Sequence, residues 1–228
     1  MMVKFLEWDS NFFDKKIGLL SIVDKYDKIN SFLSYDVIYV NQECDKEIKI
    51  PGFKKLYEEN KITYSKQLKT NLSSDNNNIF SVFDVDYDKD EIYSLAYESG
   101  KFSRFKLDPA FTEIEYRKLY KTWVNNSINK SIANNILIYK DYNEIKGFVS
   151  YRIKENYAQI GLIAISPSIQ GKGVGSTLIK AVENELINIG VKELRIQTQL
   201  INTLACNFYL KLGYIKSKVE FFKHFWKI

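Results

Sequence analysis

Gln170-Gly171-Lys172-Gly173-Val174-Gly175 puts three glycines into six residues, between a strand apolar on both faces and an amphipathic helix. Backbone N–H groups exposed at such a helix N-terminus suit the capture of a pyrophosphate-like anion. The alternating glycines are not the dinucleotide fingerprint, and no Gly-Lys-Ser/Thr pair completes a phosphate loop of the NTPase kind. A tight connection with no ligand is the other use of such a turn. Further on, Asn202 can cap a helix that ends at Gly213, and Tyr209 lies about two turns into it. A phenol of pKa near 10 stays protonated at neutral pH and can serve as a proton donor. A buried aromatic is the alternative role.

Arg104, between Phe102 and Phe105, offers a planar guanidinium that suits a phosphate, or is a surface arginine. Gln199 and Asp108 could hold a polar ligand or accept a proton, or serve at the surface and in caps. Lys172 could assist a phosphate or be solvated. With one histidine, His224, and two cysteines, Cys44 and Cys206, no zinc-ligand cluster or disulfide framework can be built. His224 and Cys206 read as structural. Lys and Arg number 33 against 28 Asp and Glu, and the resulting +5 is spread along the chain instead of forming a basic arm. That balance accommodates an anionic ligand and argues against a nucleic-acid binder. No stretch approaches the ~20 apolar residues of a membrane span, and the acidic turn at Glu7 and Asp9 interrupts any leader-like run. The expectation is a cytoplasmic protein with reduced thiols and no metal.

These residues need elements to position them. Hydrophobic spacing predicts helices from Asp88 to Ser99, stopped by Gly100, and from Glu113 to Ile128. Three strands joined by short polar turns follow, at Asn135–Lys140, Gly147–Ile153 and Ala158–Ser166. A helix then runs from Val174 to about Ile189, a strand from Glu193 to Gln199, and two strands from the tail, Tyr214 to Ile228. Earlier, Asp36–Val40 and Ile62–Leu68 read as strands and Asn30–Tyr35 as a short helix. The polar run Asn71–Asn78 reads as a linker and gives a division into 1–75 and 79–228.

Residues Ile163 to Ile179, with Gln170, Gly173 and Gly175 at the motif positions, resemble the acetyl-coenzyme A motif of the GNAT acetyltransferases, Gln/Arg-x-x-Gly-x-Gly/Ala after a central strand. Asn202, Phe208-Tyr209 and Leu212-Gly213-Tyr214 match that family's downstream pattern, so the resemblance covers Phe80 to Ile228. Leu6 to Phe13, Gly100 to Phe105 and Tyr120 to Ser127 are similar to the acetyltransferases of dTDP-linked 4-amino-4,6-dideoxy sugars, the dTDP-fucosamine acetyltransferase group.

The resemblance implies an α/β (α+β) GNAT fold, a mixed and mostly antiparallel sheet flanked by helices. It implies acetyl-coenzyme A as co-substrate and a nucleotide-linked amino sugar as acceptor. The cofactor would lie on Leu162, Ile163, Ala164 and Ile165, on Gln170, Gly171, Lys172, Gly173, Val174 and Gly175, and on Asn202. Tyr209 would be the general acid, with Arg104 and Gln199 on the acceptor. A peptide, antibiotic or polyamine amine is the alternative acceptor, and a non-catalytic acyl-coenzyme A sensor the alternative role. Many members place a glutamate on the central strand, where this chain has Gly161, Leu162 and Ile163, so the general base is not visible. Pro51-Gly52-Phe53 echoes Leu212-Gly213-Tyr214, as a small, truncated GNAT-like α/β domain at the N-terminus would. The oligomeric state stays open, a homodimer included.

Overall fold

The structure is a computed structural model that describes residues 3–22, 32–69 and 77–228. The proposed linker therefore lies outside the described residues except for its last two positions, as do Asn30 and Ser31 of the expected short helix. Residues 32–35 of that segment form a turn closed by Tyr35 N–H donating to Phe32 O at 3.0 Å.

Local chemistry explains the helices. Helix α1 spans Glu7–Phe13. Helix α2, Lys89–Ser99, starts where the Asp88 carboxylate accepts from Asp90 N–H, and ends at Gly100. A Cβ on Gly100 would lie 2.3 Å from the Tyr120 ring, so the glycine allows α2 to pack against the helix that carries Tyr120. A four-residue turn of helix, α3, covers Arg104–Leu107. Helix α4, Glu113–Ile128, opens with a reciprocal cap: Thr112 Oγ1 accepts from Glu115 N–H at 3.2 Å, while Glu115 Oε2 accepts from Thr112 N–H at 2.7 Å. Helix α5, Val174–Asn188, buries Val174, Leu178, Val182 and Leu186. Helix α6, Thr203–Lys211, is capped by Asn202 Oδ1 accepting from Ala205 N–H at 3.2 Å.

The strands are β1 (Lys4–Phe5), β2 (Ile17–Ile22), β3 (Val37–Gln42), β4 (Phe53–Gln67), β5 (Ile79–Ser81), β6 (Asn135–Asp141), β7 (Glu144–Ile153), β8 (Ala158–Ile165), β9 (Glu193–Gln199) and β10 (Ile215–Lys227). They form one sheet in the order β1-β2-β3-β10-β4-β9-β8-β7-β6-β5, antiparallel except at β2–β3 and β8–β9. Helices α2 and α4 cover one face around Ile92, Leu119 and Tyr120. Helix α5 covers the other around Leu178 and Val182, and α6 packs into the same core through Cys206 and Tyr209.

Two findings depart from the local reading. The tail is one strand of 13 residues, β10, where two were expected. Strand β4 is 15 residues long and begins at Phe53, nine residues before the expected Ile62. These two strands pair with each other from Ile215↔Ser65 to Lys227↔Phe53, and β4 pairs on its other edge with β9. A strand from the first part of the chain thus lies between two from the last, and the sheet is shared by both. Gly52 and Gly213, the echoing glycines, both have left-handed backbones (φ 80° and 84°) and lead into β4 and β10.

Candidate active site

Strands β8 and β9 are paired only at Ala158↔Leu194 and Gln159↔Arg195; beyond that they separate. A cleft of about 1160 Å³ opens there, lined by Leu162 to Ile165, the glycine turn, Gln199, Asn202 and Tyr209. On the other side of β8, the pairing with β7 slips between Val149 and Tyr151, and Ser150 Oγ accepts from Leu162 N–H at 2.9 Å. A Cβ on Gly161 would sit 2.9 Å from that hydroxyl, which explains a glycine in mid-strand. Leu162 therefore spends its N–H on the sheet. Alternation along the strand turns the N–H of Ile163 toward the cleft.

The turn after β8 is fixed by its own residues. Gln170 Nε2 donates to Ile165 O at 3.0 Å, tying the turn to the end of the strand. Gly171 and Gly173 have φ of 80° and 87°, and a Cβ at either would meet nothing within 4 Å. Their glycine identity thus answers to backbone conformation, and the space above them is free for a ligand. Gly175 answers to packing: its Cβ would lie 3.2 Å from Phe208 of α6. Lys172 is exposed beside the turn. The first N–H groups of α5 point into this cradle, where an anion is favoured.

Tyr209 is only 4% exposed, against Tyr64, Phe208 and Tyr214 at ring distances of 5.7, 5.3 and 6.3 Å. Burial raises its phenol above the ordinary value, so it holds its proton at neutral pH. Packing and lining the cleft coincide in this residue. Cys206, one turn earlier, is buried with its thiol 3.7 Å from Gln199 O.

Arg104 lies at the far end of the same cleft. Its guanidinium sits over the rings of Tyr39, Phe105 and Phe222 at 4.5, 4.6 and 4.9 Å. Its Nη1 is buried without a partner among the described residues. Asp108 is fully buried, neither a surface residue nor a simple cap. Its Oδ2 lies 2.6 Å from His224 Nδ1 and accepts from Trp226 Nε1 at 3.0 Å, while Oδ1 accepts from Ala110 N–H. Burial favours protonated Asp108, but these donors hold it below the usual carboxylate range. Burial pushes His224 down to about 4, so the pair is a carboxylate and a neutral imidazole. Asp108 is not among the residues that line the cleft.

Sequence reasoning missed Glu59. It lies on β4, is 7% exposed, lines the cleft, and accepts from Tyr57 Oη at 3.1 Å. Burial raises its carboxyl above the ordinary range, against the opposing pull of Arg104. Lys61, two residues on, also lines the cleft, and burial together with Arg104 lowers its ammonium. No local pattern singles out the run Glu58-Glu59-Asn60-Lys61 in the sequence. Only the pairing of β4 between β9 and β10 turns Glu59 and Lys61 inward. Trp8 and Asp9 of α1 complete this end.

A mixed sheet split between two parallel strands, with a glycine turn leading from one of them into a helix, defines the class as GNAT acetyltransferases. The profile of the Acetyltransferase (GNAT) family matches residues 90–214, and the chain belongs to that family. Its relatives include the spore coat polysaccharide biosynthesis protein SpsD of Bacillus subtilis, 24% identical over 61% of this chain and 48% of that protein. They also include the dTDP-fucosamine acetyltransferase of Escherichia coli O6:H1, 30% identical over 52% of this chain and 51% of that protein. The chain thus spans about half the length of these curated relatives. Among solved structures, a conserved protein of unknown function from Staphylococcus epidermidis superposes with a TM-score of 0.61 at 17% identity, covering 86% of this chain and 74% of that one. A putative GNAT acetyltransferase from Novosphingobium aromaticivorans gives 0.57 at 15% identity, over 85% and 75%. At these identities the superpositions speak for the fold.

Proposed function

We propose that the protein moves the acetyl group of acetyl-coenzyme A to the amine of a nucleotide-linked amino sugar, a dTDP-linked amino-dideoxy sugar. The observation that carries this reading is one cleft holding an anion cradle at Gly171 to Gly175, a protonated Tyr209, Glu59 on the strand next to β9 and, at the far end, Arg104. The acceptor class draws support from the name of the Escherichia coli relative and the polysaccharide role in that of SpsD. Synthesis of a sugar precursor would place the protein in the cytoplasm. We keep 1–75 and 79–228 as the proposed division of the chain, with the sheet shared between its parts.

In this mechanism the pyrophosphate rests on the turn from Gln170 to Gly175, with Lys172 at its edge. The pantetheine arm extends along Ile163 to Ile165 as an added strand, with Asn202 beside it. The acceptor amine attacks the thioester carbon as a free base, and its proton passes to Glu59, whose raised pKa suits a general base. Ile163 N–H holds the carbonyl oxygen as it becomes an oxyanion. The C–N bond forms, the C–S bond breaks, and the departing thiolate takes the Tyr209 proton, which solvent later restores. Gln199, opposite Lys61 at the cleft mouth, holds the acceptor near the thioester. Thiol release with acetyl-coenzyme A across a panel of amino sugar nucleotides, peptides and polyamines tests the reading. Release with none of them would leave an acyl-coenzyme A binder without turnover.

A further inference from the structure

Trp8 is 46% exposed, yet it is not loose. Its ring lies face to face with Phe12 one helical turn on, at 5.0 Å between centroids and 12° between planes, and it lines the cleft. An indole held flat by a neighbour in a cleft wall has the form of a stacking platform. Asp9 and Arg104 line the same cleft as Trp8, and Arg104 Nη1 has no partner among the described residues.

The order of strands gives the distance from this end to the acyl donor. Arg104 lies over Tyr39 of β3 and Phe222 of β10; Glu59 and Lys61 are on β4, Gln199 is on β9, and the split follows. Neighbouring strands are about 4.8 Å apart, so roughly 12 Å separates the β3/β10 boundary from β9. Subtracting a charge-assisted contact to the guanidinium leaves roughly 8 to 9 Å between an anion on Arg104 and an amine at the split. A hexose ring with a phosphate on one side and an amine on the other has about that span. The side chains match such a molecule: neither Arg104 nor Lys61 forms an ion pair among the described residues, and Glu59, on β4, stands between Arg104 and the split.

We infer that Trp8 and Arg104 form a nucleoside diphosphate subsite, the nucleobase stacking on the indole and the phosphates meeting the Arg104 guanidinium, with the sugar amine directed past Glu59 toward the split. This rests on the acceptor class proposed above and adds the residues that would read the nucleotide.

The test is calorimetric titration of the full chain with thymidine diphosphate, uridine diphosphate and inorganic pyrophosphate, in the presence and absence of coenzyme A. Wild type should bind a nucleoside diphosphate more tightly than pyrophosphate, with coenzyme A leaving that affinity in place. Trp8→Ala should weaken nucleoside diphosphate binding about tenfold while pyrophosphate binding changes little, and Trp8→Phe should retain most of the affinity. Trp8→Leu keeps an apolar side chain against Phe12 but offers no aromatic face, so weakened nucleoside diphosphate binding there supports the inference, and wild-type binding overturns it, if the alanine variant fails to fold. Equal affinity for nucleoside diphosphate and pyrophosphate, or a Trp8→Ala protein that binds as wild type does, would overturn the inference. So would competition by coenzyme A, which would put the nucleotide on the glycine turn. Absence of thiol release with every acceptor would defeat the acetyl-transfer reading and leave these binding results standing.

Discussion

Asp108 Oδ2 and His224 Nδ1 lie 2.6 Å apart, both residues fully buried, and join the segment after α3 to the middle of β10. The ionised carboxylate accepts, so the imidazole carries its proton on Nδ1 and stays neutral. With His224 at about 4 in the folded chain and 6.5 unfolded, the unfolded chain binds more protons between those values. Stability from this group is complete above pH 6.5 and is lost as pH falls toward 4, on the order of 3 kcal/mol in all. Glu59 and Asp9, whose carboxyls burial raises, act with the opposite sign above the ordinary carboxylate range. Urea midpoints measured from pH 7 to pH 4 should fall in the wild type and fall less steeply in His224→Gln. Parallel curves would mean that His224 titrates normally.

The same pair predicts a structural cost. Asp108→Ala removes acceptors from His224, Trp226 and Ala110 at once and leaves buried donors unpaired, so it should destabilise the fold by about 3 kcal/mol. Thermal or urea unfolding at pH 7 measures it. A loss under about 0.5 kcal/mol would mean that water satisfies these donors as well as the carboxylate does.

For Glu59, the substitution Glu59→Gln keeps the shape and the contact with Tyr57 while removing the base. Because burial raises its pKa, kcat/KM in the wild type should climb with pH through a value above the usual carboxylate range. The variant should lose about 10²-fold or more and show a flatter acid limb. An unchanged pH profile in Glu59→Gln would assign proton removal to water or to another group.

How far this site was legible beforehand depends on sequence distance. Gly171, Gly173, Asn202 and Tyr209 sit within 39 positions of one another on consecutive elements, so local patterning placed them together. The bounds of α4, from its Thr112 cap to Ile128, were equally local. Glu59 and Lys61 were hidden because their inward face depends on β4 entering between β9 and β10, a register set by pairing with residues more than 125 positions away. The single long β10 was misread for the same reason: its partners on β4 carry the strand on across the bulge between Lys216 and Lys218. Asp108 looked like a loop cap, and only His224, 116 residues later, makes it a buried acceptor.

Acetyl-coenzyme A should raise the melting temperature, since a ligand that binds only the folded chain stabilises it by mass action. Gly173→Asp should abolish that shift. Its φ of 87° disfavours a side chain, and a carboxylate at the N-terminus of α5 would repel the pyrophosphate. Gly190→Asp, also at positive φ but at the other end of α5, controls for backbone strain and should keep the shift. No shift in wild type at millimolar coenzyme would remove the cofactor assignment.

Tyr209→Phe retains the ring that packs on Tyr64 and Tyr214 and deletes only the phenolic proton. Folding and coenzyme binding should therefore survive, with the loss in kcat at roughly 10²-fold or more. Protonation matters most when the thiolate is a poor leaving group, so acetyl donors with more acidic thiols should recover part of the lost rate. Because burial already raises the phenol, no alkaline limb from Tyr209 should appear below pH 10 in the wild-type kcat profile. If Tyr209→Phe turned over at the wild-type rate with chemistry rate-limiting, solvent would be the proton source and Tyr209 a packing residue alone.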